Sequence, residues 1–132
     1  MMDRIKAAKD SSVDGFMLMA RTDAFAQEGI ERVVERSNAY IESGADSIFP
    51  EAITNLEDYK ILSENLTVPI LANITEFGMT PLYTDQELHE VGVDMILHPL
   101  SAFRAMSKAA QEIYNEISHK GTVEKKLKKM QS

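Results

Sequence analysis

Cysteine and tryptophan are absent from this 132-residue chain, and glycine and proline are sparse at six and four. Without cysteine the chain forms no disulfide, no thiolate-bound metal centre and no thiol nucleophile. No apolar run approaches the roughly 18 residues of a membrane span. The residues from Met1 onward also lack a signal-peptide pattern, so the expectation is a soluble cytoplasmic protein. The scattered glycines leave no Gly-rich phosphate loop, and neither H-E-x-x-H nor G-x-S-x-G occurs. Cations are in the minority. The net charge of −7 argues against a nucleic-acid backbone as partner. Five of the basic side chains are lysines crowded into residues 120–132, a basic helical tail read as a solvated face or a segment meeting an acidic neighbour.

Forty-four per cent of the residues are hydrophobic, enough for one globular domain over 1–132. Apolar runs alternate with amphipathic segments. Phe16–Ala20, Asp46–Pro50, Val68–Asn73 and Asp94–His98 predict four strands. Residues 28–43 carry Ile30, Val33, Val34 and Ile41 on one helical stripe, and Gly44 follows as a C-terminal glycine. Thr54 with Glu57 and Thr84 with Glu87 each have capping-box spacing. A long helix is expected over about 100–118, with Phe103, Met106, Ala110, Ile113, Tyr114 and Ile117 turned to the core, and a last basic helix over about 122–130. The eight methionines are expected to fill core gaps. Continuous apolar strands separated by helices imply a parallel sheet covered by helices. Four such units make either an open doubly wound domain or about half of a (β/α)8 barrel of roughly 250 residues.

In parallel α/β folds ligands meet the C-terminal strand ends, and here each predicted strand ends in polar or turning residues. They are Arg21-Thr22-Asp23, Pro50-Glu51, Asn73-Ile74-Thr75-Glu76, and His98-Pro99 with Ser101 and Arg104 beyond. Arginine binds a carboxylate through two parallel hydrogen bonds, and asparagine and threonine orient neighbouring oxygens. That residue set suits a small polycarboxylate. Glu51 fits a role in holding a substrate hydroxyl or a metal-bound water, or a plain capping role. Asp23 reads as a helix cap or a cation ligand. His98 reads as a packed or capping residue more readily than as a base, and His89 and His119 as solvent-facing.

The blocks Met19-Ala20-Arg21-Thr22-Asp23-Ala24, Phe49-Pro50-Glu51-Ala52-Ile53-Thr54, Leu71-Ala72-Asn73-Ile74-Thr75-Glu76-Phe77-Gly78 and Pro99–Met106 resemble the 2-methylisocitrate lyase family. That family lies within the isocitrate lyase and phosphoenolpyruvate mutase superfamily. The resemblance implies a (β/α)8-barrel, Mg²⁺-dependent carbon–carbon lyase of propionate catabolism, cleaving 2-methylisocitrate to pyruvate and succinate. It places Arg21, Glu51, Asn73, Ile74, Thr75 and Arg104 at substrate-binding positions, with Glu51 supporting the metal's water shell. The family's Lys-x-Cys-Gly-His segment and metal-binding aspartates lie upstream of the matched blocks and are not in this chain. The chain is therefore expected to be inactive alone, with no direct metal ligand of its own. It is also expected to act with an N-terminal half-barrel or as a homo-oligomer. Two other readings stay open: a non-catalytic half-barrel binding or assembly module, and a relative acting on isocitrate, oxaloacetate or a phosphonate.

Overall fold

A computed structural model describes residues 1–132. The chain divides into two compact units, Met1–Pro99 and Leu100–Ser132. In the first, α1 (Met2–Asp10) leads into β1 (Met19–Thr22), a short α2 (Phe25–Glu28) and α3 (Ile30–Glu42). Then come β2 (Ser47–Pro50), α4 (Leu56–Asn65), β3 (Leu71–Asn73), α5 (Asp85–Glu90) and β4 (Met95–Leu97). β1 pairs in parallel with β2, and β3 with β4. A parallel bridge from Ile48 to Ile70 joins the two pairs, giving the order β1-β2-β3-β4. This is the parallel α/β arrangement that the alternating pattern predicts.

Side chains alternate along each strand, and the two faces differ in kind. Ala20, Ile48, Ile70, Ala72 and Ile74 belong to the buried core with Val33 and Tyr40 of α3, Tyr59 and Leu62 of α4, and Leu88 of α5. Met19, Arg21, Phe49, Asn73, Met95 and Leu97 alternate to the opposite, open face, where they are half-buried or exposed. None of the eight methionines is buried, contrary to the expectation that they fill the core. The two in strands, Met19 and Met95, fall on the open face because each is one residue out of phase with the core-facing positions.

A short repeat sets the strand register. Gly44-Ala45-Asp46-Ser47-Ile48 enters β2 and Gly92-Val93-Asp94-Met95-Ile96 enters β4. Each glycine has a positive φ, 106° and 83°, which turns the chain out of a helix at little steric cost. Each aspartate then reaches back to the strand before it: Leu18 N–H donates to Asp46 Oδ2 at 2.8 Å, and Ile70 N–H to Asp94 Oδ2 at 2.9 Å. Lys9 of α1 adds an ion pair to Asp46 at 2.7 Å.

The Lys9 ammonium and the Leu18 N–H hold the Asp46 carboxyl below its ordinary range. A carboxyl whose folded pKa is depressed contributes stability above its unfolded pKa of about 3.9 and loses it as pH falls through the folded value. Urea midpoints of the parent should therefore exceed those of Asp46→Asn at neutral pH and converge on them in acid. A gap that persists unchanged into acid would contradict this assignment.

At Gly92 an added Cβ would lie 2.6 Å from Ser63 Cβ and 2.7 Å from its Oγ. That hydroxyl is fixed by bonds to Lys60 O and Val91 O at 2.9 and 2.8 Å. Gly92→Ala combines a left-handed alanine with local overpacking and should cost about 2–4 kcal/mol in urea unfolding.

Two helix starts separate the capping expectations. Thr84 and Glu87 form the full reciprocal box at α5. At α4 the cap is Asn55, whose side chain accepts from Asp58 N–H at 2.8 Å, so the expected Thr54–Glu57 box is corrected by one residue. Asparagine is the stronger cap, and it wins that helix start. The strands are also shorter than expected. β1 begins pairing at Met19, leaving Phe16 and Met17 more than half exposed.

The second unit is α6 (Ser101–Lys120) and a 3₁₀ turn at Glu124–Lys129, where a basic α-helix was expected. Gly121, left-handed at φ 67°, closes α6 by donating to Ile117 O at 2.8 Å. α6 has no buried residue. Phe103, Met106, Tyr114 and Ile117, expected to face a core, are 62, 63, 72 and 46% exposed. No helix of the chain is long and apolar enough to cross a membrane.

Candidate functional site

Arg21, Glu51 and Asn73 come together because each sits at the C-terminal end of one of three adjacent parallel strands. The register sets Arg21 beside Phe49, and the Ile48–Ile70 bridge brings Glu51 level with Asn73 one strand over. The Glu51 N–H donates to Thr22 O at 2.9 Å, so the parallel pairing continues just far enough to fix the glutamate's backbone.

Glu51 Oε2 is the meeting point. It pairs with Arg21 Nη2 at 3.1 Å and accepts a long hydrogen bond from Asn73 Nδ2 at 3.5 Å. Arg21 also binds Asp23, with Nη2 2.7 Å from Oδ1, and its guanidinium carbon lies 4.8 Å from the centre of the Phe49 ring. Chain geometry and aromatic stacking thus hold the guanidinium in one place. The Asp23 hydrogen bond, more than the Glu51 charge, raises the Arg21 pKa against the cost of burial. The same bond lowers the Asp23 carboxyl. Arg21 and Asp23 are therefore both ionised at neutral pH. Arg21 keeps 48% of its side-chain surface open and Glu51 25%, so a ligand can reach both.

Asn73 Oδ1 is buried and has no hydrogen-bond partner. Buried acceptors are nearly always satisfied, which makes this atom the clearest vacancy at the row. Asp23, read from sequence as a cap or a cation ligand, instead orients Arg21. Phe49 was not singled out by the sequence, although strict alternation from Arg21's cross-strand neighbour would have found it.

Ile74 is 2% exposed and packs in the core on the opposite face, and its N–H donates to Leu97 O at 2.9 Å. Only its carbonyl is left to offer a ligand, because period-2 alternation turns its side chain away from its neighbour Asn73. Thr75 is half-buried in the loop after β3 and accepts Gly78 N–H through its carbonyl at 3.2 Å. Arg104 is in the second unit, in the first turn of α6. His98 is about half exposed, 3.8 Å from Asp85, and His89 and His119 are exposed.

No group of three or more His, Cys, Asp or Glu side chains is placed to hold a metal ion. Glu51 is the row's one carboxylate besides Asp23, and both are taken up by Arg21. A hollow of about 470 Å³ lies at the other end of the strands, where Asp94 is already committed to Ile70.

Comparison with known proteins gives concordant results. The family model described as phosphoenolpyruvate phosphomutase matches residues 1–118. The 2-methylisocitrate lyase of Escherichia coli (strain K12) is 52% identical over 133 residues, covering all of this chain and 45% of that protein. Among solved structures, a 2,3-dimethylmalate lyase described as a PEP mutase/isocitrate lyase superfamily member superposes with a TM-score of 0.84 at 30% identity. It covers 92% of this chain and 44% of that one. Oxaloacetate acetylhydrolase in complex with 3,3-difluorooxalacetate gives 0.86 at 28%, over 94% and 44%. The four parallel units thus correspond to about half of a barrel-type lyase, and the chain spans less than half the length of the relatives it matches.

Proposed function

Because the chain belongs to the phosphoenolpyruvate phosphomutase family, whose members are lyases and mutases, we propose that its Arg21–Glu51–Asn73 row is the substrate-holding part of a carbon–carbon lyase. The proposed substrate is a branched tricarboxylate of the 2-methylisocitrate type. The observation that carries this reading is the single row of one cation, one anion and one unsatisfied amide on adjacent strand ends. The 52% identity to a 2-methylisocitrate lyase over the whole chain supports it.

The chemistry follows from the row. Cleaving a 2-hydroxy tricarboxylate between its hydroxyl-bearing carbon and the next carbon requires a base to take the hydroxyl proton and an acid to protonate the carbanion, two roles that fall outside this row. The bond's electron pair is then left beside a carboxylate. Arg21, fixed by Asp23 and Phe49, presents positive charge to that carboxylate without having to reorganise. Asn73 Oδ1 accepts a hydrogen bond from a substrate hydroxyl, and Glu51 keeps Asn73 and Arg21 in register. The magnesium that the family resemblance implies is not matched by a ligand set in this chain, since the row's two carboxylates, Asp23 and Glu51, are both engaged by Arg21. No step is assigned to the metal here.

The test is complementation. The purified chain is combined with the N-terminal portion of the Escherichia coli relative, and pyruvate release from 2-methylisocitrate is followed, with isocitrate and oxaloacetate as competitors. Release with 2-methylisocitrate preferred is the expected outcome. A folded, assembled complex that prefers isocitrate or oxaloacetate, or releases nothing, would remove this reading.

A further inference from the structure

Where the chain turns through a positive φ it uses glycine, at Gly15, Gly29, Gly44, Gly92 and Gly121, with two exceptions. Ala52 has φ 60° and Phe77 φ 64°. A left-handed backbone crowds Cβ against the following carbonyl, so both positions carry strain that glycine would remove. Both lie in the loops that follow the strands bearing Glu51 and Asn73. Phe77, with Gly78, closes a tight turn in which the Thr75 carbonyl accepts the Gly78 N–H at 3.2 Å. Strain of this kind persists where the surrounding structure holds it, and it gathers at functional sites.

Ala52 is pinned on both sides. Before it, the Glu51 N–H donates to Thr22 O at 2.9 Å. After it, Ile53 is fully buried, the Thr54 carbonyl accepts from the Tyr83 hydroxyl at 3.2 Å, and Asn55 caps α4. Alternation along β2 puts Pro50 on the core side and Glu51 on the open side. Continued by one more step, it would turn Ile53 to the open face. The left-handed turn ends the strand instead, leaving Glu51 beside Arg21 and Asn73 and sending Ile53 into the core. The methyl side chain of Ala52 offers no polar group, so its effect on the row comes through the backbone.

We propose that Ala52 is a positioning residue, whose left-handed backbone stiffens the turn after β2 and so holds the Glu51 carboxylate against Arg21 and Asn73. For its part in the reaction, the inference rests on the lyase reading. An L side chain at positive φ has one small allowed well, whereas glycine ranges over the whole positive-φ region. With the chain pinned on both sides alanine has nowhere else to go, and the Glu51 backbone is fixed with it. The contacts this serves are sensitive to small shifts: Glu51 Oε2 is 3.1 Å from Arg21 Nη2 and 3.5 Å from Asn73 Nδ2. Stability is given up for a fixed carboxylate.

The test compares Ala52→Gly with Ala52→Asn, because asparagine keeps a β-carbon and enters the left-handed well more readily than alanine. In the 132-residue chain, Ala52→Gly should leave the urea midpoint unchanged or raised. Its Glu51 amide should exchange about two- to fivefold faster, while the Ile48 amide, which donates to Pro69 O, keeps its rate. In the complex with the N-terminal portion of the Escherichia coli relative, Ala52→Gly should lower kcat/KM for 2-methylisocitrate about tenfold, and Ala52→Asn should recover the loss. A merely structural role would make activity follow stability. The proposal is overturned if the Glu51 amide of Ala52→Gly exchanges no faster than the parent's, if kcat/KM is unchanged, or if it falls only as the urea midpoint falls. A parent complex that releases no pyruvate removes the lyase reading, and the exchange comparison then decides by itself whether Ala52 holds Glu51.

Discussion

Arg21→Met, in an enzyme where this chain replaces the matching segment of the Escherichia coli relative, should lower kcat/KM by about 10²–10³-fold. The size follows from how the arginine is held. Its guanidinium is fixed by Asp23 at 2.7 Å, Glu51 at 3.1 Å and the Phe49 ring. Its charge therefore sits ready for a carboxylate and stays put as that carboxylate gains electron density. Methionine keeps the approximate volume and removes the charge, leaving Glu51 and Asp23 as neighbouring anions with no cation between them. A carboxylate substrate then meets repulsion where it met attraction. Arg21→Lys should recover only part of the loss, because a lysine ammonium cannot face two carboxylates and a ring together as the planar fork does. Arg32→Met is the control: Arg32 pairs with Glu28 and Glu35 on the exposed side of α3, and such surface pairs contribute little. Kinetics of the three variants check the ordering. A loss at Arg21 below tenfold, about 1.4 kcal/mol, would show that the row does not hold the reacting acid.

How much of this was legible beforehand depends on which physical signal each residue carried. The strand–helix alternation was readable because short apolar runs recur between amphipathic segments, and Ile48 and Ile70 from two of those runs do lie in the core. Arg21, Glu51 and Asn73 were readable because a polar residue just after such a run can only be at the strand's end. Which group of Ile74 faces the row was not readable: proximity in sequence to Asn73 says nothing of face, and alternation buries its side chain behind the sheet. The α4 start was misread by one residue because Thr54 and Asn55 both offer caps and only backbone geometry chooses between them. The apolar stripe on α6 was read correctly as a stripe, but periodicity tells which residues share a face and not whether anything in the same chain covers it. The partnership of Arg21 with Asp23 was hidden for a further reason. An i, i+2 pair in an extended strand shares a face, whereas the sequence signal for aspartate after a strand is that of a helix cap.

The buried tyrosine of α4 carries the other large expectation. Tyr59 is fully buried, placed against the sheet because Asn55 caps the helix one turn before it. Its hydroxyl lies toward Thr80 without a hydrogen bond of good geometry. Burial first, and the Glu51 charge second, push its pKa up, so it is a neutral phenol throughout the physiological range. Two substitutions separate the ring from the hydroxyl. Tyr59→Ala empties a large volume in the buried core cluster that also holds Ile53, Leu62 and Ile74, and should cost about 3–5 kcal/mol. That is a large fraction of the roughly 5–15 kcal/mol by which such domains are stable, so loss of the cooperative transition at moderate temperature is expected. Tyr59→Phe keeps the ring and deletes a buried polar atom with no firm partner, so stability should hold within about 1 kcal/mol or rise. Urea unfolding of the two variants gives the comparison. If Tyr59→Phe proved as damaging as Tyr59→Ala, the hydroxyl would have to be making a strong bond in solution. The link from α4 through Thr80 to the loop after β3, and so to the row at Glu51 and Asn73, would then be a hydrogen-bonded one and not one of packing.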